Sequence, residues 1–282
     1  MNVDAMILES IEKLPPFPAV IHRLLQIMGD QKSSAQDIVE IIQYDQSITA
    51  NVLMICNSAY FGLRHPVYSV RDALVRIGFN QLMEIILSRG GAYLFGRSYP
   101  GYDLAAGELW RHSVACAVLS QIIADRLGFK TSPMEFTAAL LHDIGKVVLN
   151  EFMKDHLKEV RRLVQENQVS FLEAEKQILG IEHADLGGRV SEHWKFPGKI
   201  ILGIRHHHAP FSASVEQEFA SLIHLCDAVA MLTGFGGGAD GLSYSGYKDI
   251  AKAYGLGERE IEGIIIELES RLKQVELILN IQ

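Results

Sequence analysis

Apolar residues recur along much of the chain at the three- and four-residue spacing of amphipathic helices. The clearest case is the segment 258–279, with apolar residues at Ile261, Ile264, Ile265, Leu268, Leu272 and Val275. The sequence shows no sustained alternation of apolar and polar residues, which would mark a half-buried strand, and no Asn-Gly hairpin turn. The pattern therefore predicts an all-α fold with about ten to thirteen helices of ordinary length.

Serine residues mark four predicted helix starts. Each precedes an apolar helical segment and is followed three residues later by Asp or Glu, which is the spacing of a capping box. The pairs are Ser34 with Asp37, Ser69 with Asp72, Ser132 with Glu135 and Ser170 with Glu173. Pro133 strengthens the third pair, because proline is favoured at the first helical position.

Two segments interrupt the helical periodicity. The first, SYPGYD at residues 98–103, divides the chain into a predicted N-terminal helical subdomain, residues 1–99, and a C-terminal part, residues 100–282. The second, residues 234–246, contains GFGGGAD. A phosphate-binding loop is the less favoured interpretation, because this run lacks the GK[ST] ending and follows a helix. We interpret it as a turn-rich connection.

The composition, with 48% apolar and 21% charged residues, is that of an ordinary globular protein. The net charge of −8 argues against a dominant nucleic-acid-binding surface, which would need a basic domain. The acidic, proline-interrupted N-terminus is unlike a secretory signal, and no apolar run reaches the roughly 18 residues that span a bilayer. Cys56, Cys116 and Cys226 form no CxxC pair, and we interpret them as buried reduced thiols. We therefore expect a soluble, cytoplasmic protein without a membrane partner.

Several histidines lie in apolar helical contexts, where imidazole is an unusual filler. His112 lies in LWRHSVACAVL, His142 in AALLHDIGKVVL and His183 in GIEHADLGG, and residues 206–208 form a run of three. Taken singly, each is typical of a hydrogen-bonded helix residue. Their joint pattern is more typical of a shared site.

Two aspartates add carboxylates to the same kind of context. Asp143 lies on a mostly apolar predicted helix, and Asp227 interrupts SLIHLCDAVAML. Burying either carboxylate alone would be unfavourable by several kcal/mol unless it is paired or binds a cation. Lys146 can pair with Asp143, but no Lys or Arg lies within one helical turn of Asp227.

Imidazole and carboxylate groups together suit a divalent metal such as Fe, Mn, Zn, Co or Mg. An adjacent His-Asp pair can serve two metals, with the carboxylate bridging them. Two such metals would activate water for attack on a phosphate. The residues therefore predict a metal site with one or two ions.

The order His, His-Asp, His, His-His, Asp resembles that of the HD superfamily of metal-dependent phosphohydrolases. The surrounding sequence is similar more specifically to the HDOD domain, the HD-related output domain of bacterial signalling proteins, over about residues 10–235. The motifs that carry this similarity are LPPFPAV (residues 14–20), YDQSITANVLMICNSAYFG (44–62), VRDALVRIGF (70–79), ELWRHSVACA (108–117), FTAALLHDIGKVVL (136–149), EHADLGGRVSEHWKFP (182–197) and GIRHHHAP (203–210).

This resemblance implies an N-terminal helical subdomain packed on an HD-like helical core. It also implies a series of metal ligands, namely His112, His142, Asp143, His183, His207, His208 and Asp227. Many HDOD domains have lost these ligands, whereas this sequence keeps the series, as do the HD-GYP phosphodiesterases that cleave cyclic di-GMP. In an enzyme, Asp143 and Lys146 would be catalytic, and the resemblance implies that Lys146 contacts the substrate phosphate.

The chain departs from the HD-GYP pattern after the histidine pair. Those enzymes continue with Glu and a GYP loop, whereas this sequence runs Ala209-Pro210-Phe211. Two functions therefore stay open. The favoured one is a signalling module that acts on a protein partner, with the HD-like half as a scaffold. The alternative is a metal-dependent phosphohydrolase that acts on a nucleotide or cyclic dinucleotide.

The sequence also makes geometric predictions. Asn57 and Ser58 should bond nearby main-chain groups, because Asn and Ser favour helix ends and turns. Six side chains should converge on one pocket from at least four helices, namely those of His112, His142, Asp143, His183, His207 and Asp227. His208 can join His207 there only if the cluster is wide or the helix ends, since neighbouring helical residues point about 100° apart; Pro210 favours such an ending.

Overall fold

The computed structural model describes residues 3–12, 14, 19–29, 34–129, 132–167, 169–213, 215–235, 238–239 and 247–279. Within these ranges the chain is helical, with a single isolated β-bridge between Tyr99 and Leu104. The helices are α1 (Val3–Glu12), α2 (Ala19–Gly29), α3 (Ala35–Ile42), α4 (Gln46–Cys56), α5 (Val70–Phe95), α6 (Glu108–Leu127), α7 (Pro133–Leu141), α8 (Ile144–Asn167), α9 (Phe171–Leu179), α10 (His183–His193), α11 (Gly198–His206), α12 (Gln217–Leu232), α13 (Tyr247–Ala253) and α14 (Glu258–Leu279). Short 3₁₀ turns lie at Pro100–Tyr102 and Pro210–Ser212. The predicted all-α fold is confirmed.

The described residues form fourteen α-helices, slightly more than the ten to thirteen expected. One reason is the segment AALLHDIGKVVL, which the apolar pattern predicted as one helix. It divides into α7 and α8 at His142 and Asp143. Asp143 thus stands immediately before α8, where a carboxylate is favoured by the unpaired N–H groups of the first turn.

Helix capping follows the serine pattern closely. At three of the four predicted starts, the backbone N–H of the serine donates to the acidic side chain three residues on, at 2.7–2.8 Å. These are Ser34, Ser132 and Ser170. At the fourth, the Ser69 hydroxyl accepts from the backbone N–H of Asp72 at 3.0 Å, while the Asp72 carboxylate pairs with Arg76 at 2.7 Å. All four serines begin a helix as predicted.

Helix α6 lies at the centre of the molecule, packed against α5, α7, α12 and α14. Most of its side chains are buried. Helix α1 crosses back to contact α8 and α10, and α5 also contacts α7 and α8. Residues 1–99 and 100–282 are therefore joined by extensive packing, and the division between them at residue 99 stays a prediction from the sequence.

The motif NSAYFG forms the turn after α4. The Asn57 amide donates to the carbonyl of Val67 at 2.9 Å and accepts from the Val67 N–H at 2.7 Å. The Ser58 hydroxyl donates to the carbonyl of Ile55 at 2.7 Å. The predicted main-chain role of Asn57 and Ser58 is confirmed.

Two sequence features fall partly outside the described residues. In LPPFPAV, positions 15–18 are outside them, and in the glycine-rich segment only residues 234, 235, 238 and 239 are described. The described part of the glycine-rich segment packs against the 3₁₀ turn, where the N–H of Ala239 donates to the carbonyl of Tyr102 at 2.8 Å. Among the described helices, none combines the length and the apolar character needed to cross a membrane.

Candidate metal centre

Six helices bring the predicted ligands together in the C-terminal part of the chain. His112 lies on α6, His142 and Asp143 lie at the α7–α8 junction, and His183 begins α10. His207 and His208 directly follow α11, and Asp227 lies on α12. We call these seven residues the His/Asp cluster. The side chains are almost fully shielded from solvent, with Asp143 1% and Asp227 3% exposed.

One group of cluster atoms surrounds Oδ2 of Asp143 and Oδ1 of Asp227. Nε2 of His112 lies 3.2 Å from Asp227 Oδ1 and 3.6 Å from Asp143 Oδ2. Nε2 of His142 lies 3.4 Å from Asp143 Oδ2 and 3.8 Å from Asp227 Oδ1. The two Nε2 atoms are 3.2 Å apart. Two imidazole nitrogens and two carboxylate oxygens thus face a common point.

A second group surrounds the other oxygen of Asp143. Nε2 of His183 lies 3.5 Å and Nε2 of His207 4.0 Å from Asp143 Oδ1. His208 completes this group, with its Nε2 2.9 Å from Nε2 of His183 and its Nδ1 3.8 Å from Oδ2 of Asp227. The carboxylate of Asp143 therefore lies between two donor groups and presents one oxygen to each.

Hydrogen bonds on the far side of three imidazoles fix which nitrogen faces the cluster. Nδ1 of His142 bonds the carbonyl of Ala139 at 2.7 Å, and Nδ1 of His207 bonds that of Ile204 at 2.6 Å. Nδ1 of His112 bonds the carbonyl of Phe235 at 3.0 Å. Because a carbonyl only accepts, each of these Nδ1 atoms carries the proton. A neutral ring then presents the Nε2 lone pair inward, as metal-bound histidines do.

The cluster has hydrogen-bonding capacity that the described residues do not satisfy. Oδ1 of Asp143 and Nε2 of His207 are buried and have no hydrogen-bond partner among them. Leaving such groups unpaired is unfavourable by about 1–3 kcal/mol each, and by more for a charged group. A cation shared between them removes this penalty, so the residues present fit a divalent metal.

Electrostatics favour the metal-binding forms of Asp143 and His207, whereas interactions with Cys116 and Asp227 outweigh burial and raise the pKa of His112 well above its usual value. Burial alone would raise the pKa of Asp143, but its coulombic interactions with His142 and Lys146 outweigh burial and hold that pKa well below its usual range. Burial lowers the pKa of His207 well below its usual value. An ionised carboxylate and a neutral imidazole are the protonation states that bind metals.

Lys146 lies beside the cluster, where the sequence predicted a phosphate contact. It is buried, and its Nζ lies 2.7 Å from Oδ2 of Asp143. Nζ also lies 5.7 Å from the centre of the Tyr102 ring. The position of Lys146 next to the cluster agrees with the sequence analysis, and in this arrangement its charge is directed at Asp143.

Glu175 is a site residue that the sequence analysis missed. Its buried carboxylate accepts from the backbone N–H and Nδ1 of His183, at 3.0 and 2.9 Å, and from the Tyr102 hydroxyl at 2.6 Å. Burial lowers the pKa of His183, but the charge of Glu175 outweighs burial and raises it to about 9. A signal was present: Glu175 lies four residues from both Phe171 and Leu179, on the buried face of α9.

Cys116 is a second addition to the site. It lies one turn after His112 on α6, with its Sγ 3.6 Å from Nε2 of His112. Sγ is close enough to share an ion with His112, His142 and Asp227. All three cysteines are free and buried, as predicted. The prediction of a purely nitrogen and oxygen donor set overlooked this thiol, because its only sequence signal is the four-residue spacing from His112.

Glycine allows α8 and α10 to approach closely enough to form the site. A Cβ on Gly145 would lie 1.9 Å from the carbonyl oxygen of His183 and 2.8 Å from the nitrogen of Gly187. A Cβ on Gly187 would lie 3.0 Å from Ile204. This contact brings Asp143, two residues before Gly145, against His183.

An all-helical fold that gathers histidines and aspartates from six helices into one buried cluster defines an HD-type domain. The model of the HDOD domain matches residues 14–210, and the chain belongs to this family. An uncharacterized protein of Treponema pallidum (strain Nichols) is 23% identical over 208 residues. That alignment covers 73% of this chain and 40% of the relative, so the chain spans about two fifths of that protein.

Solved structures with similar folds come from several bacteria. An HDOD domain protein of Geobacter sulfurreducens superposes with a TM-score of 0.74 at 23% identity, covering 99% of this chain and 96% of its own. A Shewanella amazonensis SB2B protein whose name proposes phosphohydrolase activity superposes with a TM-score of 0.70 at 21% identity, covering 98% of both chains. A Marinobacter aquaeolei VT8 protein named for signal transduction has a TM-score of 0.71 at 21% identity, covering all of this chain and 61% of its own. These similarities establish the fold.

Proposed function

We propose that this protein is a signalling output module of the HDOD type that binds a divalent metal and acts mainly through a protein partner. The observation that carries this proposal is the complete and deeply buried His/Asp cluster. Imidazole nitrogens, two carboxylates and a nearby thiol are present, and unsatisfied acceptors remain between them. One or two ions held here would link six helices and stabilise one arrangement of the C-terminal part.

Burial favours a structural or regulatory metal over a catalytic one. A catalytic metal keeps an open position for water or substrate. Here His142, His183 and His207 have no exposed surface, and Asp143 is 1% exposed. The segment after His208 forms the 3₁₀ turn Pro210–Ser212, where HD-GYP enzymes carry their GYP loop.

Exposed apolar side chains support a partner surface on the N-terminal part. Among the described residues, six of the ten large apolar side chains that are exposed lie within residues 1–99, with Tyr44 83% and Tyr68 80% exposed. Exposed aromatic residues are enriched at protein interfaces. We therefore place the surface that contacts a signalling partner in this part of the chain.

A metal-dependent phosphohydrolase is the second candidate, and one observation favours it. The full ligand series is present, with Lys146 directly beside Asp143. A bound metal would supply Lewis-acid activation at a phosphate. The cluster would hold the metal, and Lys146 would bind a phosphate oxygen of a nucleotide or cyclic dinucleotide.

Metal analysis combined with an activity assay distinguishes the two candidates. The purified protein, reconstituted with Mn²⁺ or Fe²⁺, is compared with Asp143→Asn, which keeps the side-chain shape beside buried Lys146. Asp155→Asn, an exposed aspartate on α8, is the matched control. We expect one or two metal equivalents in wild type and Asp155→Asn, none in Asp143→Asn, and no hydrolysis of bis-p-nitrophenyl phosphate.

Each other outcome has a clear meaning. Metal-dependent hydrolysis that is lost in both Asp143→Asn and Lys146→Met would replace the first candidate with the second. Failure of wild type to take up metal, or unchanged uptake by Asp143→Asn, would contradict the metal proposal. The interaction proposal is tested separately, by changing Tyr44 and Tyr68 to Ser, which should weaken partner capture without changing metal content.

A further inference from the structure

A cavity of about 210 Å³ lies where the N-terminal helices meet the C-terminal part, away from the His/Asp cluster. Helices α4, α5, α6, α7 and α14 and the NSAYFG turn form its walls. Because an apolar cavity of roughly 150 Å³ is enough to admit benzene, this one has room for a fused bicyclic ring. A neighbouring cavity of about 200 Å³ shares part of its lining. We call the first the interhelical cavity.

The apolar walls of the interhelical cavity are largely aromatic or β-branched. Tyr60 and Phe61 come from the NSAYFG turn, Phe136 from α7 and Val118 from α6. The proposed function gives Phe61 no role. Small-molecule sites have this character, with apolar and aromatic walls and a few polar groups that fix orientation.

The polar groups of the cavity are gathered around one carboxylate. The amide of Gln81 donates to Oε2 of Glu84 at 2.7 Å, and the amide of Gln121 donates to Oε1. Arg271, from α14, also lines the cavity. Each carboxylate oxygen can accept a second hydrogen bond. A ligand N–H therefore finds an acceptor on Glu84 that is already oriented by two amides.

The chemistry of Glu84 agrees with a role in binding. Burial raises its pKa to about 7, although the hydrogen bond from Gln121 opposes this effect. Near neutral pH the carboxyl group then exists in both forms, so it can accept from a ligand N–H or donate to a ligand nitrogen. A polar edge beside aromatic walls fits a flat molecule with apolar faces and a nitrogen-bearing rim.

We propose that the interhelical cavity binds a small planar nitrogen heteroaromatic molecule, similar in size and edge chemistry to a purine base. Its faces pack against Phe61, Phe136 and Val118. Its N–H edge bonds Glu84, with Gln81 and Gln121 holding the carboxylate in place. The site is separate from the His/Asp cluster and does not depend on metal there.

Binding of the fluorescent base 2-aminopurine to the full chain tests this proposal. Val118→Phe fills the cavity, and Glu84→Gln changes the acceptor edge while keeping the side-chain shape. Val75→Phe, which introduces the same ring at an exposed position of α5, is the matched control. We expect saturable binding to wild type and Val75→Phe, at least tenfold weaker binding to Glu84→Gln, and none to Val118→Phe.

Two further measurements test whether binding depends on the His/Asp cluster and whether the cavity variant is folded. Asp143→Asn should bind 2-aminopurine as wild type does, which separates this cavity from the His/Asp cluster. If Val118→Phe does not fold by circular dichroism, the comparison with Glu84→Gln decides alone. The proposal is overturned by absence of binding to wild type, by equal binding to Glu84→Gln, or by indole binding as tightly as 2-aminopurine, since indole lacks the nitrogen-rich edge.

Discussion

Polar side chains interrupt apolar helical segments in both parts of the chain, but they differ in how completely their hydrogen-bonding atoms find partners. In the N-terminal part, Asn57 uses its amide oxygen and nitrogen on the backbone of Val67. In the C-terminal part, Asp143 pairs with Lys146 through Oδ2, while its Oδ1 has no hydrogen-bond partner among the described residues. The hydrogen-bonding atoms of the Asn57 amide are thus satisfied by one backbone residue, whereas Asp143 keeps a carboxylate oxygen that can bind a further group.

This difference separates a structural polar residue from a binding one more clearly than sequence context does. Both residues follow apolar runs, but Asn57 is exposed whereas Asp143 is buried. The side chain of Asn57 ends α4 and bonds main-chain groups of the turn that follows. Asp143 lies between imidazoles of several helices that all present Nε2, and these surroundings fit a metal ion.

The largest expected effect comes from Gly145→Ala, which tests whether close packing of α8 on α10 creates the cluster. Its Cβ would lie 1.9 Å from the His183 carbonyl oxygen, so the helices must separate. We expect a loss of about 3 kcal/mol or more in the free energy of unfolding, together with loss of metal uptake. Gly198→Ala, where no atom lies within 4 Å, should change neither quantity. Urea denaturation and metal analysis measure both.

Glu175→Gln sharpens the comparison inside the cluster. Removing this charge weakens the hold on His183, and such partners of metal-bound histidines typically contribute about 10–100-fold to metal affinity. We expect Mn²⁺ affinity to fall by this factor while the fold is retained. Glu166→Gln, which changes an exposed carboxylate on α8, should leave affinity unaltered. Equal affinities in a competition titration would remove Glu175 from the site.

Asn57→Ala tests the purely structural role of the polar residue in the N-terminal part. The substitution leaves the N–H and carbonyl of Val67 without their partner, so the free energy of unfolding should fall by about 1–2 kcal/mol. Metal content should stay at the wild-type value, because Asn57 closes a turn in the N-terminal part. Asn80→Ala, at an exposed position of α5, serves as the control and should shift stability by less than about 0.5 kcal/mol.

The smallest expected effect concerns Glu84. Like Asn57, it has hydrogen-bond partners on both side-chain polar atoms, and like Asp143, it is a carboxylate with a shifted pKa. Its pKa is about 7 in the fold, above the ordinary value of 4.5, so the folded state binds more protons between these pH values. Glu84 therefore contributes a decrease in stability of about 1 kcal/mol as pH rises from 6 to 7. In thermal melts, the change in stability between the two pH values should differ by this amount between wild type and Glu84→Gln, because the histidines titrate in both proteins. An identical slope in both proteins would contradict the buried titration.

Local patterns in the sequence were enough for much of this molecule. The four serine-led helix starts and the turn role of Asn57 depend on residues within about ten positions, and each is confirmed. Histidines and aspartates in apolar segments indicated a shared site, the resemblance to the HD superfamily implied the series of seven residues, and the fold brings these residues together. Their role as metal ligands stays a prediction.

The features that the sequence did not reveal depend on contacts between helices. Glu175 resembled an ordinary charged helix residue, and its role is visible only when α9 packs beside His183. The division between α7 and α8 at Asp143 could not be predicted from the apolar periodicity, because apolar residues continue on both sides of it. Cys116 joined the site only because α6 turns it beside His112.

Helix α6 has one further consequence, because it borders both sites. His112 and Cys116 face the His/Asp cluster, while Val118 and Gln121 line the interhelical cavity. If a molecule in the cavity changes the affinity for metal, thermodynamic reciprocity requires the metal to change the affinity for that molecule by the same factor. Because binding in the cavity is proposed not to depend on metal, we expect this factor to be close to one, and titrating one ligand at fixed concentrations of the other measures it.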